Sequence, residues 1–122
     1  NGLLDTSFNG TGKAVYDSGL NDAGNGLSVQ GVDGSIYVNG SFQIGTNNYD
    51  VGIVKFNFDG SRDAGFGNNG VVLTDIGGPS EGSKSSSLWV DPACACEKLV
   101  IAGVASIPGA TFARFFTSAI GQ

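Results

Sequence analysis

The chain has no histidine and no methionine, two cysteines, three prolines and only six lysines and arginines in 122 residues. Each shortage excludes something. Without histidine, the commonest general base and the commonest zinc ligand are both absent. The six cations (Lys13, Lys55, Arg62, Lys84, Lys98 and Arg114) are scattered, and the net charge is −5. No clustered positive patch can therefore neutralise phosphates or anionic headgroups, and nucleic acid and membrane surfaces are poor partners. No apolar run approaches the ~20 residues of a membrane-spanning helix, so no membrane insertion is expected. A Gly-x-Ser-x-Gly elbow and a phosphate-cradling glycine loop are lacking too. No catalytic residue and no cofactor is assigned, and the chain reads as not an enzyme. With no methionine and no visible basic-then-apolar leader, the expectation is a processed chain or a piece of a longer one.

What is plentiful is glycine, 21 residues, more than twice the usual ~7% share. Hydrophobic residues make up 40% and charged residues 14%, enough apolar content for a packed core in a chain of one-domain length. Short apolar runs between glycine-rich turns point to an all-β fold. Leu27/Val29, Ile36/Val38 and Val54/Phe56/Phe58 alternate with other residues, which puts each set on one face of a pleated strand. Asp33-Gly34 and Asp59-Gly60 are hairpin-turn signals, because glycine accepts positive φ without steric cost. No stretch sustains a helical apolar period, so essentially no helix is expected.

The sequence also repeats itself. "LDTSFNGTG" (4–12) is echoed by "RDAGFGNNG" (62–70), with Asp5/Asp63, Phe8/Phe66 and Gly12/Gly70 each 58 residues apart. Leu27 and Val29 match Leu88 and Val90; Ile36, Val38 and Gly40 match Leu99, Ile101 and Gly103; Lys55-Phe56 matches Arg114-Phe115. The second copy gains two residues where "DPACACEK" replaces "GVDGS". An insertion confined to a connection is what a repeated structural unit tolerates. Each unit, 1–60 and 61–122, reads as four short strands: near "KAVY", "GLSVQ", "SIYVNGSF" and "DVGIVKFNF", then near "GVVLT", "SSLWV", "KLVIAGVA" and "ATFARFF". Four strands in about 60 residues is the pattern of a β-propeller blade.

These phrases, above all "LDTSFNGTGKAV", "LSVQGVDGSIYVNGS" and "DVGIVKFNFDGSRDAGFG", resemble the delta-60 repeat, a blade-like unit of large, mostly secreted bacterial proteins. The resemblance implies two tandem four-stranded antiparallel blades and an extracellular or cell-surface setting, and it carries no catalytic residues. Phe8 and Phe66 would then be plugs between neighbouring blades, while Asp5 and Asp63 bond backbone N–H groups in Asx turns. Propellers typically have 4–8 blades, so two cannot close a ring alone. The chain spans about an integer number of repeats, which leaves a complementary blade face at each end. The expectation is a non-enzymatic structural protein that self-associates head-to-tail into a ring or filament, or two blades of a longer propeller. Leu3, Leu4 and Phe8 at one face and Phe112, Phe115 and Phe116 at the other are the expected interface. The alternative is an oligomeric lectin that binds glycans in inter-blade clefts through Trp89, Tyr16, Tyr37 or Tyr49.

Three smaller features stay open. Asn57, Asp59, Ser61 and Asp63 have the alternate spacing of a calcium loop but lack its distal glutamate, and a hydrogen-bonded turn is the favoured reading. Cys94 and Cys96 could form a local bridge, cross-link two chains or stay as thiols, and no metal or catalytic role is assigned to them. Asn9 and Asn39 head glycosylation sequons, which turn-forming composition also produces.

Overall fold

A computed structural model describes residues 2–106 and 114–121. The described residues form strands and turns with no helix. The strands are β1 (Asp22–Val29), β2 (Ile36–Gly45), β3 (Asn48–Phe56), β4 (Val71–Thr74), β5 (Ser80–Asp91), β6 (Cys96–Ser106) and β7 (Arg114–Gly121). β1 to β4 form a four-stranded antiparallel meander. β5 to β7 form a second meander of three. One parallel bridge, Tyr49 to Ser80, joins them into a single open sheet.

Local chemistry sets the turns. In the β1–β2 hairpin Gly34 has φ +74°, and Asp33 Oδ1 accepts the Ser35 N–H at 2.8 Å. The β2–β3 turn uses Asn47 at φ +54°, a position that asparagine tolerates better than most residues.

The two meanders repeat a less common feature. β1 has a bulge between Gly24 and Gly26, near Gly40 of β2. β5 has one between Ser83 and Ser85, near Gly103 of β6. A Cβ on Gly40 would lie 1.7 Å from the Ala23 carbonyl oxygen, and one on Gly103 would lie 2.1 Å from that of Gly82. Only glycine fits where a bulged strand comes this close.

The main core lies between the meanders. Tyr37, Val51 and Ile53 pack against Leu99 and Ile101, flanked by Phe66, Ile76 and Leu88. Side chains alternate along β3, so Val54 and Phe56 face the other way. They cluster there with Phe42, Ala14, Tyr16, Ile36, Val38 and Val71.

Several expectations need correction. Leu27 and Val29 alternate as read, but they are 61% and 53% exposed, while Ser28 between them is buried. The reason is that β1 turns its small residue toward β5, where the Ser28 and Ser86 hydroxyls meet at 2.7 Å. Phe58 lies beyond the end of β3 and is exposed. "KAVY" forms no strand, although its counterpart Val71–Thr74 does. The fourth strand of the first meander thus comes from beyond residue 60. Finally, Leu99 pairs with Ile120, where its counterpart Ile36 pairs with Phe56. In the ladder, Ile120 and not Phe115 therefore takes the place of Phe56.

Candidate functional site

The twice-written phrase builds the same turn twice. Phe8 N–H donates to the Asp5 carbonyl at 3.1 Å and Gly12 N–H to the Phe8 carbonyl at 2.7 Å; Phe66 to Asp63 and Gly70 to Phe66 repeat both distances. The expected Asx bonds are present, from Ser7 N–H to Asp5 Oδ1 at 2.9 Å and from Gly65 N–H to Asp63 Oδ1 at 3.0 Å. Hydrogen bonds from the Ser7 hydroxyl and N–H hold the Asp5 carboxyl below its usual range. For Asp63 the main cause of a similar lowering is Lys55, whose ammonium lies 2.8 Å away.

The surroundings of the two copies differ. Phe66 packs on the central core, edge-on to Tyr37 with ring centres 5.8 Å apart. Lys55 Nζ sits 5.5 Å from the Tyr37 ring centre and 5.9 Å from that of Phe66. Phe8 instead lies half-buried against the Asp59-Gly60 turn, where a Cβ on Gly60 would stand 2.9 Å from its ring. Leu3 and Leu4, ahead of it, are exposed.

The difference continues into the next four residues. Val71–Thr74 pair with Val54–Val51 of β3. Lys13–Tyr16 pair with no strand among the described residues. Ala14 and Tyr16 rest on the second apolar cluster, with the Tyr16 and Phe42 ring centres 5.4 Å apart, and Val15 is exposed. At the far end of the sheet β7 pairs, among the described residues, with β6 alone. Phe115 and Phe116 stand in β7 opposite Val104 and Gly103. Phe112 lies outside the described residues.

The contact between the meanders is polar along β1 and β5. Ser28 meets Ser86, and Asn25 Nδ2 donates to the Ser83 carbonyl at 3.0 Å; each pair is 58 residues apart. Asn39 Nδ2 donates to Ser83 Oγ at 2.7 Å, and Gln30 bonds Glu97.

The remaining sequence candidates fall as follows. Asn57, Asp59 and Ser61 close a turn on themselves, with Asn57 Nδ2 donating to Ser61 Oγ at 2.9 Å and the Ser61 hydroxyl to Asp59 Oδ1 at 2.6 Å. Asp63 is turned to Lys55. Asn9 is exposed and donates to the Lys13 carbonyl. Asn39 is fully buried, so the folded chain leaves no room for a glycan there. Cys94 and Cys96 form a disulfide: Ala95, at φ +52°, turns the chain and brings their Cα atoms to 5.1 Å. Tyr37 is buried, while Trp89 is 46% exposed with Lys98 Nζ 5.9 Å from its ring centre.

One cluster escaped the sequence reading. Asp50, Asp75 and Glu81 bring carboxylate oxygens within 4.8 Å of one another. Burial, then Asp75 and Glu81, raise the Asp50 carboxyl above its usual range. The only hint in sequence is an acid opening the apolar run "DVGIV". Its two partners lie too far along the chain for any spacing rule to find.

No protein-family model, curated protein or solved structure matches the chain.

Proposed function

We propose that this chain is a non-enzymatic extracellular structural protein, a pair of delta-60-like propeller blades that associates head-to-tail into a ring or filament. One observation carries the reading. Among the described residues Lys13–Tyr16 lacks a strand partner and β7 shows none beyond β6, while β4, the counterpart of Lys13–Tyr16, completes the first meander. The segment of one copy completes the second meander of its neighbour. The adjoining blade of a longer chain offers the same strand.

Two further features support this. β1 and β5 hold the same place in the two meanders and meet through Ser28 with Ser86 and Asn25 with Ser83, as strands of one kind do when blades rotate about a common axis in a propeller. The outer face of β1 exposes Leu27 and Val29, apolar area worth ~25 cal/mol per Å2 once covered, before association costs. A repeated interface of this kind closes or propagates according to its rotation.

The register of β4 on β3 specifies the contact. Lys13 falls opposite Ser118, Ala14 opposite Thr117 and Tyr16 opposite Phe115, by the counterparts of Val71–Thr74 on Val51–Val54. A chain bearing Ala14→Cys and Thr117→Cys, in a Cys94→Ser/Cys96→Ser background, should cross-link between copies on mild oxidation. Monomers alone after oxidation would sink the reading.

Glycan binding draws on the exposed Trp89 beside Lys98. A glycan array separates the two readings: repeated micromolar hits lost in Trp89→Ala would favour the lectin.

A further inference from the structure

The structure assigns Asp50, Asp75 and Glu81 to a site for a hard divalent cation, with Ca2+ the natural probe. The three come from separate elements: the start of β3, the turn after β4 and the start of β5. They converge beside the Tyr49–Ser80 bridge, the one strand pairing among the described residues that stitches the two meanders together. One oxygen from each lies within 4.8 Å of the others. Asp50 is 8% exposed and Glu81 3% exposed, while Asp75 faces solvent at the mouth.

Two of the acids are held in place by backbone. Glu81 Oε2 accepts the Ile76 N–H and Oε1 the Gly78 N–H, both at 2.7 Å. Asp75 Oδ1 accepts the Gly77 N–H at 2.6 Å. Asp50 differs, since no described residue donates a hydrogen bond to its carboxylate. The two ion pairs of the described residues, Lys55–Asp63 and Lys98–Asp91, both lie elsewhere. The Asp50 side chain is largely buried yet has no donor from the described residues, and its oxygens keep an edge on solvent; they lie within reach of two further acids. A cation between them removes both the missing partner and the repulsion.

The donor set is all carboxylate oxygen, which suits Ca2+ rather than soft metals. The open side at Asp75 leaves room for the waters that complete a coordination shell of six to eight. Two of the acids belong to a turn that recurs. Asp17, the counterpart of Asp75, makes the same bond to the Gly19 N–H, and Asp22, at the register position of Glu81, accepts the Ser18 N–H as Glu81 accepts that of Ile76. Among the described residues only the second turn has a third acid, Asp50, within reach. A cation bound here ties β3 to β5 and so ties one meander to the other.

The test uses the full chain stripped with a chelator, then titrated with CaCl2 by calorimetry and followed by thermal melting. The expected result is one Ca2+ per chain and a Tm that rises with Ca2+. Asp50→Asn should lose both responses, and its Tm in chelator should equal or exceed that of the unaltered chain, because a buried like charge is gone. Asp75→Asn, at an exposed position that leaves the core intact, should weaken binding roughly tenfold or more and serves if Asp50→Asn fails to fold. No heat and no Tm change up to about 10 mM Ca2+, above the range of weak extracellular calcium modules, would overturn the proposal. So would an unchanged response in both variants.

Discussion

Lys13–Tyr16 and Val71–Thr74 hold the same place in the repeat, each following the same Asp-x-x-Phe turn. One is a strand and the other is not. The turns that deliver them share the Phe-to-Asp and Gly-to-Phe bonds, and only the second adds a bonded pair between Asn68 and Val71, so the shared turn alone does not decide the outcome. What decides it is whether a strand edge is within reach: β3 offers one to Val71–Thr74. Phe66 and Phe8 teach the same lesson, since one meets a core and the other a turn. Strand formation here depends on context more than on intrinsic propensity.

The comparison can be broken most forcefully at the paired glycines. Gly40→Ala and Gly103→Ala should each cost about 3 kcal/mol or more, because each new methyl collides with backbone. Chemical denaturation would measure both. A mild Gly103→Ala would mean that the second meander lacks the close approach of the first. Next in size, Phe66→Ala should destabilise the chain by about 3 kcal/mol. Phe8→Ala should cost about 1 kcal/mol and act mainly on association. Equal losses of stability would erase the distinction between the two phrases.

A pH series sharpens the contrast at Asp50. Burial first, then the neighbouring acids, raise its carboxyl in the folded state. The stability it contributes is therefore complete below the unfolded value, about 3.9, and is lost as pH rises through the raised folded value. In chelator, Asp50→Asn should exceed the unaltered chain in stability at pH 7, with the gap closing toward about pH 4. A gap that is constant with pH would contradict this. The smallest effect is expected at the second meander's inserted loop. Cys94→Ser with Cys96→Ser should keep the far-ultraviolet β signal and lose no more than about 1.5 kcal/mol, since the bridge closes a very short loop. Unfolding of that variant would show that the turn depends on its bridge.

Much of this architecture was legible in the sequence. The repeated phrase gave its turns, the Asp-Gly pair its hairpin, and the alternating runs gave β2 and β3. Period two reveals that Leu27 and Val29 share a face, but not which face meets the rest of the molecule. That choice rests on Ser28 fitting against Ser86. Asn39 reads as a sequon, yet it is committed to a buried bond with Ser83. The acid cluster joins residues from three elements, and only the folded chain brings them together.

Native mass spectrometry at rising protein concentration tests the central claim, head-to-tail completion of one meander by the next copy, most directly. It should compare the unaltered chain with an Ala14→Pro/Val15→Pro variant. Adjacent N–H groups point to opposite sides of a strand, so one of the two prolines must remove a donor from the added strand. The account predicts discrete multimers or long assemblies for the unaltered chain and monomers for the variant. A chain that stays a folded monomer at every concentration, or a proline variant that assembles equally well, would contradict it.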